Sequence, residues 1–331
     1  MVGKTIAANI NDDLIVAVTQ RMKSDPDFVG HYTSSYLLDH HGQKLVARNS
    51  RGIDNYLDAR MVCESDALRL AASASPHVPN LVYADNNILV ESFCDGSRLD
   101  LTQSGWQNTY RFVAKEMTKI YHLDVSEVEG PRTVTEWWSW MRLFADALWR
   151  RLIPDFSDRY HEVGLEPLET VWESRSGFGG LDQPTRLVHS DLHEANILIG
   201  ESGPWILDRE LALKADPLWD VAVSLHRTKW RYPEQQALAK ALRLDALDIH
   251  GNANVDTILE SYIFLERWKS VLVDVVRYPQ EIRETALLPD VIEERARSLS
   301  HKLRALSAHM PCRTFTTPQI TDLLTDWAGR G

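Results

Sequence analysis

Residues 186–220 read RLVHSDLHEANILIGESGPWILDRELALKADPLWD and contain two short apolar runs separated by a turn. Asn196 immediately precedes the run ILI, and Asp208 immediately follows the run WIL. Between the two runs, residues 200–204 read GESGP, a composition typical of a turn. If the runs pair as an antiparallel hairpin, the start of the first strand lies beside the end of the second. The sequence therefore predicts that Asn196 and Asp208 meet at one end of a hairpin.

An amide oxygen and a carboxylate that converge in this way form a hard-oxygen site suited to Mg²⁺ bound to phosphate. Asp191 lies on the approaching loop, five residues before Asn196, and can reach the same space without ligating the metal. One carboxylate near a metal–phosphate centre can accept the proton of an attacking hydroxyl, while positioning and charge neutralisation supply most of the remaining catalysis. The spacing therefore indicates a phosphotransferase.

Each of these residues also has a structural interpretation. A lone loop aspartate is more often a turn or capping residue than a catalytic group. His189 and His193 have a spacing that could suggest zinc, but the sequence offers no third ligand at a suitable distance along the chain. Asp216, which precedes Pro217, could simply cap a helix.

Composition and charge exclude several classes of protein. The chain has 331 residues, which is about two domains or one domain of two lobes, and its 44% hydrophobic residues exclude general disorder. The net charge of −11 argues against a nucleic-acid partner and is compatible with a cationic small molecule. No apolar run approaches the roughly 18 residues of a membrane-spanning helix. Three widely spaced cysteines fit reduced thiols in a cytoplasm.

The secondary-structure signals change character near residue 105. Period-2 runs and turn residues predict strands at 36–38, 44–48, 80–84 and 88–93, and a helix at 59–72. The remainder predicts mostly helices, at 106–122, 135–153, 165–174, 218–229, 233–243, 255–277, 288–308 and 317–328. We therefore expect a small β-rich lobe followed by a larger helical lobe.

The motifs HSDLHEAN at 189–196, ILD at 206–208 and ADPLWD at 215–220 together resemble the aminoglycoside phosphotransferase family. That family is similar to choline, homoserine and methylthioribose kinases and has the protein-kinase fold. The resemblance implies an α+β, two-lobed fold with a nucleotide-binding lobe at 1–93, a hinge at 94–96 and a catalytic and acceptor-binding lobe at 97–331. The residue roles that it implies are Asp191 as catalytic base, Asn196 and Asp208 as Mg²⁺ ligands, His189 as support of the loop and Asp220 as its anchor.

The resemblance extends to the small lobe. LVAR at 45–48 aligns with the strand that carries the phosphate-binding lysine of protein kinases, which places Arg48 in that position and leaves Lys44 as the alternative. Glu64 is expected to pair with this cation from the following helix. The phosphate loop matches GHYTSS at 30–35, where Ser34 and Ser35 stand in place of glycines. The hinge segment would present backbone groups near Glu91 and Phe93 to the purine of ATP or GTP.

The acceptor is the part of the reaction that the sequence determines least. Glu210 follows the second motif, and Glu266, Ser270 and Asp274 share one face of a predicted helix. These residues could line a groove for a cationic acceptor, or they could form a solvated, salt-bridged face. An aminoglycoside-type or other cationic antibiotic is the leading acceptor, which implies a role in antibiotic resistance. The alternatives are a metabolite kinase of the choline, homoserine or sugar type, and a catalytically silent nucleotide-binding protein.

Overall fold

A computed structural model describes residues 2–29, 33–50, 62–169, 183–248, 254–285 and 288–330. These residues belong to two compact units. The first comprises Met1–Glu129, Arg186–Leu213 and Arg227–His250, and the second comprises Gly130–Thr185, Lys214–His226 and Gly251–Gly331. In the described residues, no helix is long and apolar enough to cross a membrane.

The first unit contains a five-stranded antiparallel sheet in the order β1-β2-β3-β5-β4. Its elements up to residue 129 are α1 (Val2–Arg21), β1 (Phe28–Val29), β2 (Thr33–His40), β3 (Gln43–Ser50), α2 (Glu64–Ala74), β4 (Leu81–Ala84), β5 (Ile88–Ser92), β6 (Ser97–Arg98) and α3 (Trp106–Tyr121). The hairpin and the two following strands confirm the sequence-based prediction of a β-rich start. The predicted phosphate-loop residues 30–32 lie outside the described residues.

The rest of the first unit comes from Arg186–Leu213 and Arg227–His250. It contains β7 (Arg186–Val188), a short 3₁₀ helix (Glu194–Asn196), β8 (Ile197–Gly200) and β9 (Gly203–Ile206), followed later by α6 (Pro233–Ala246). In the second sheet, of order β6-β8-β9, β8 and β9 pair antiparallel with Ile197 opposite Ile206. The hairpin predicted from the two apolar runs is therefore present in the expected register.

Helix α1 was not predicted from the sequence. Leu14 and Val18, four residues apart on one helix face, are buried with Leu45, Ala47 and Val90 of the sheet. This apolar seam is only two buried residues long in the described part of the helix. It is therefore a weak periodic signal, although it is enough to hold α1 against β3 and β5.

The second unit is mostly helical. Its elements are α4 (Val134–Val163), β10 (Leu213–Ala215, of which Leu213 belongs to the first unit), α5 (Pro217–Arg227, of which Arg227 belongs to the first unit), α7 (Val255–Thr285), α8 (Pro289–Ser307) and α9 (Thr317–Arg330). Asp216 Oδ1 accepts a hydrogen bond from the Leu218 amide at 2.9 Å, so this residue caps α5. The antiparallel sheet and the mostly helical remainder confirm the predicted α+β class.

Asp274 forms a buried ion-pair network with Arg277 and Lys302, each at 2.5 Å. Burial by itself raises the pKa of Asp274, but the two cations outweigh it and hold this pKa at about 2. Since the folded pKa lies below the ordinary value near ~4, the stabilisation is complete above that pH. It is lost as the pH falls from about 4 towards 2.

We therefore expect Asp274→Asn to lower the free energy of unfolding by about 3 kcal/mol, because Lys302 and Arg277 lose their buried partner. Urea unfolding at pH 7 measures this loss. The matched control is Glu293→Gln, which removes the exposed pair with Arg297 and should cost less than ~1 kcal/mol. Equal effects of the two substitutions at pH 7 would contradict the assigned role of Asp274.

Candidate functional site

His189 connects the two segments that carry the predicted catalytic residues. It is fully buried at the end of β7, and its Nε2 donates to the Leu207 carbonyl at 2.7 Å. Its Nδ1 accepts from the Asp191 amide at 3.3 Å. Burial first, and then the charge of Arg209, hold the pKa of His189 well below its usual value. A neutral imidazole with its proton on Nε2 thus fixes the backbone before Asp191 to the backbone before Asp208.

Two residues of this region have left-handed backbone conformations that residues other than glycine rarely adopt. Ser190 has φ of 62° and Asp208 has φ of 61°. Such conformations cost energy and persist where surrounding contacts determine them, often at functional sites. They bend the chain immediately before Asp191 and at Asp208 itself.

Asn196 and Asp191 are in direct contact. The Asn196 Nδ2 donates to the Asp191 carbonyl at 2.9 Å and lies 3.5 Å from its Oδ2. Because the amide nitrogen is used in this way, the side-chain oxygen is the atom left to bind a cation. The Leu207 amide donates to the Asn196 carbonyl at 2.9 Å, and Asp208 lies two residues beyond the last pair of the hairpin, Ile197 and Ile206.

Arg48 lies among carboxylates at the Asp208 side of this hairpin. It forms an ion pair with Glu64, and its Nη1 lies 3.4 Å from Asp208 Oδ1 and 3.9 Å from Glu91 Oε1. Burial lowers the pKa of Arg48, but Glu91, Asp208 and Glu210 together raise it above its usual value. Burial raises the pKa of Glu91, and this effect outweighs the opposing effect of the Arg48 charge. The cluster holds more carboxylates than cations, which favours a bound cation.

Lys44, the alternative to Arg48, lies elsewhere on β3. In the strand register it lies opposite Asp39 of β2. Its Nζ lies over the Phe93 ring, 5.8 Å from the centroid. The Phe93 amide donates to the Lys44 carbonyl at 3.1 Å. Of the two candidate cations, Arg48 is therefore the one beside Asp208 and Glu64.

The predicted phosphate-loop serines lie on β2. Ser34 is opposite Asn49, and Ser35 is opposite Arg48. Ser35 thus neighbours Arg48 across the sheet.

Arg227 is a site residue that sequence reasoning missed. Its Nη1 forms an ion pair with Asp191 Oδ1, and His193 Nε2 lies 3.7 Å from the same oxygen. The contact joins residues 36 positions apart. Arg227 ends α5 within an ordinary amphipathic helical pattern, so the sequence carried no signal of this contact.

Two predicted acceptor residues, Glu266 and Asp274, belong to the second unit and are buried. Glu266 pairs with Lys269 at 2.5 Å, and Asp274 pairs with Arg277 and Lys302. Asp220 is also fully buried in this unit, within α5. Glu210 belongs to the first unit, where its charge acts on Arg48. The acceptor role of Glu266 and Asp274 stays a prediction.

Solved structures with a similar fold include small-molecule kinases. A choline/ethanolamine kinase family protein from Mesorhizobium loti has a TM-score of 0.55 and 16% identity, with 91% of each chain covered. A thermostable mutant of an aminoglycoside phosphotransferase, in ternary complex with AMP-PNP and hygromycin B, has a TM-score of 0.55 and 16% identity, with 85% of this chain and 92% of that chain covered. An amicoumacin kinase in complex with AMP-PNP, Ca²⁺ and Ami has a TM-score of 0.57 and 12% identity, with 96% and 99% covered.

At these identities the likenesses show the fold, which confirms the predicted protein-kinase-like architecture. No curated protein matches the chain. Residues 29–253, which include Arg48, Asp191, Asn196 and Asp208, match the model of the phosphotransferase enzyme family. The match spans more than half of the chain and contains every motif on which the sequence-based interpretation rests. The chain therefore belongs to the phosphotransferase enzyme family, as its motifs indicated.

Proposed function

We propose that the protein transfers the γ-phosphoryl group of ATP or GTP to a hydroxyl of a small molecule. One observation carries the proposal: Asp191, Asn196 and Asp208 occupy one end of the β8–β9 hairpin, with Arg48 at 3.4 Å from Asp208. A base, two oxygen ligands and a phosphate-binding cation are the parts that phosphoryl transfer needs.

Asp191 is the proposed catalytic base. Its Oδ1 is engaged by Arg227, whereas its Oδ2 lies on the Asn196 side. Oδ2 is therefore the atom that we assign to accept the acceptor's hydroxyl proton as the oxygen attacks the γ-phosphorus. His189 fixes the backbone of this loop.

The donor set at Asn196 and Asp208 fits Mg²⁺. One carboxylate and one amide oxygen, completed by phosphate oxygens and water, match the few protein ligands that Mg²⁺ takes in kinases. Mg²⁺ held there would neutralise charge on the phosphates of the donor. The AMP-PNP and Ca²⁺ complexes of the similar kinases support a nucleotide donor and a divalent metal in this chain.

Arg48 is the proposed phosphate-binding cation, held in place by Glu64. Ser34 and Ser35 are assigned to the phosphate loop, and the backbone near Glu91 and Phe93 to the purine. The Arg48 ion pairs with Glu64 and Asp208 support this assignment. The predicted lobe boundary at residues 94–96 would then pass beside the purine.

A cationic antibiotic of the aminoglycoside type is the leading acceptor, and Glu210 is its candidate ligand near the site. The likeness to an aminoglycoside phosphotransferase and to an amicoumacin kinase supports this choice. The likeness to a choline/ethanolamine kinase family protein favours a metabolite alcohol as the second candidate. We place the protein in the cytoplasm because Cys63, Cys94 and Cys312 are all free thiols.

An acceptor screen tests the proposal. Labelled phosphate from γ-³²P-ATP with Mg²⁺ should appear on one compound among aminoglycosides, amicoumacin, choline, ethanolamine, homoserine and simple sugars. Transfer should require the metal and stop in Asp191→Asn. A labelled product that forms equally well in Asp191→Asn would contradict the proposed site.

Arg48→Ala should raise the nucleotide KM or lower kcat, because the phosphates lose their cation and Glu64 loses its partner. Arg48→Lys should retain activity only if a point charge replaces the planar guanidinium. Lys44→Ala is the matched control on the same strand and should change little. Steady-state kinetics at varied nucleotide concentration tests which of the two cations binds the phosphates. A larger defect in Lys44→Ala would assign that role to Lys44 instead.

Arg227→Ala should lower kcat by about 10- to 100-fold, the rate equivalent of ~1.5–3 kcal/mol for a hydrogen bond to a charged group. The nucleotide KM should stay constant, since Arg227 contacts Asp191. Arg227→Lys and added guanidinium should each restore part of the rate. The exposed Arg231, replaced by Ala, serves as control. If neither Arg227→Lys nor added guanidinium restores any of the lost rate, the role of Arg227 is purely structural.

A further inference from the structure

Three side chains at the tip of the β2–β3 hairpin and on α1 bring metal-binding atoms together, away from the residues assigned to catalysis. We propose that Asp13, His40 and His41 bind a divalent transition-metal ion such as Zn²⁺ or Ni²⁺. One ligand atom from each residue lies within 4.8 Å of the other two. Asp13 Oδ2 is 3.0 Å from His41 Nε2 and 3.8 Å from His40 Nε2.

The hairpin turn fixes the two imidazoles. His40 is opposite Gln43, so His41 and Gly42 form a two-residue turn, with φ of 53° and 78° respectively. Positive φ at both central positions is the type I′ geometry, in which Asn or Asp is the preferred first residue. The Gly42 amide donates to Asp39 Oδ1 at 2.9 Å and tightens the turn. A histidine therefore stands where local propensity favours Asn, on a backbone with little freedom.

Helix α1 fixes the carboxylate. Leu14, the residue after Asp13, is buried with Val18 against Leu45 of β3. Further along the same helix, Arg21 Nε donates to the Leu37 carbonyl of β2 at 2.9 Å. Two contacts of α1 thus hold Asp13 beside the hairpin: the packing of Leu14 and Val18 on the sheet, and the hydrogen bond of Arg21 to β2. They preorganise the ligand set.

The spacing of the ligand atoms suits a tetrahedral ion. Zinc–ligand bonds of about 2.0–2.1 Å place neighbouring ligand atoms roughly 3.3 Å apart. The two distances from Asp13 to the histidines, 3.0 and 3.8 Å, bracket this value. Two imidazoles and one carboxylate select Zn²⁺, Ni²⁺, Co²⁺ or Cu²⁺ over Mg²⁺, which prefers oxygen ligands alone. Water completes the coordination.

His40 provides the independent reason to expect a ligand. Its Nε2 is buried and has no hydrogen-bond partner in the part of the chain that the structure describes. A buried ring nitrogen without a partner is costly, and an ion is one of the groups that satisfies it. A metal at this position would join α1 to the β2–β3 hairpin and stabilise the fold of the first unit. This inference does not depend on the proposed function.

Calorimetric titration of the tag-free full chain with ZnCl₂ and NiCl₂ tests the site. The Asp208→Ala background removes the proposed catalytic metal ligand, so that only the new site is measured. We expect one saturable site there, and at least tenfold weaker binding after His41→Asn or Asp13→Asn. His41→Asn suits the turn, so it preserves the fold. His122→Ala, an exposed histidine in the same unit, is the control and should bind as before.

Two further measurements complete the test. Saturating Zn²⁺ should raise the melting temperature by several degrees in the unsubstituted chain and not in His41→Asn. Co²⁺ should give the visible spectrum of a four-coordinate site. Binding that is absent, or that is unchanged by both His41→Asn and Asp13→Asn, would overturn the proposal.

Discussion

Asp191→Asn should lower the rate of phosphoryl transfer by a factor of about 10² or more, the usual contribution of a positioned general base. The asparagine has nearly the same shape as Asp191 but cannot accept the proton of the hydroxyl. Nucleotide affinity should change little, because Asp191 contacts Asn196, Arg227 and His193, whereas the nucleotide phosphates are assigned to Arg48. Single-turnover kinetics beside a direct nucleotide-binding measurement separates the two effects.

The control for this change is Asp124→Asn, an exposed aspartate of the same unit whose carboxylate bonds the Ser126 amide. It should leave turnover unchanged. Near-normal turnover in Asp191→Asn would show that another group takes the proton. A parallel loss of nucleotide binding would show that Asp191 serves the metal site instead.

Asp208→Ala should abolish transfer and weaken binding of the Mg²⁺–nucleotide complex. Asp208 is the only anionic metal ligand that we assign, and a bound metal supplies several kcal/mol of charge stabilisation. The substitution also removes a carboxylate 3.4 Å from Arg48, so that cation loses one of its ion pairs. Titration of Mg²⁺ at fixed nucleotide concentration measures the effect.

Asn196→Ala is the graded comparison for Asp208→Ala. A neutral amide contributes less charge, so this variant should lose less metal affinity. It also removes the hydrogen bond to the Asp191 carbonyl, so its rate should fall more than its binding. If Asn196→Ala weakens Mg²⁺ binding more than Asp208→Ala does, the assignment of the two ligands is wrong.

The parts of the fold that were predictable are those with local signals. The β8–β9 hairpin follows from two apolar runs and one turn within 12 residues, and its register follows from the turn length. Helix α1 was missed because its contribution to the core depends on a distant partner. Leu14 and Val18 acquire meaning only when Leu45, Ala47 and Val90 are placed beside them.

The site residues also divide into those with a local signal in the sequence and those without one. The contact of Asn196 with Asp191, and the position of Asp208 near the same end of the hairpin, were predictable because these residues lie close along the chain. The pairing of Arg48 with Glu64 could be proposed from the family resemblance and agrees with the observed contact. Arg227 could not be predicted, because its contact with Asp191 depends on where α5 ends in space.

The helix face with Glu266 and Asp274 shows what local spacing leaves open. Period-3.6 spacing places the two carboxylates on one face, but it does not show what covers that face. In the structure, Lys269, Arg277 and Lys302 pair with them. The two carboxylates that suggested a cationic acceptor thus have cationic partners within the second unit. The ion pairs of Asp274 are also the source of the pH dependence that we expect for the stability of the protein.

We propose that one site, built from Arg48, Asp191, Asn196 and Asp208, holds the metal and the nucleotide phosphates. Anomalous scattering from Mn²⁺ in crystals grown with AMP-PNP tests it most directly. We expect a metal peak between the Asn196 amide oxygen and the Asp208 carboxylate, with the γ-phosphate within reach of Arg48 and facing Asp191. A metal peak and triphosphate bound away from both ligand side chains would show that the nucleotide binds elsewhere and that this site is wrongly assigned.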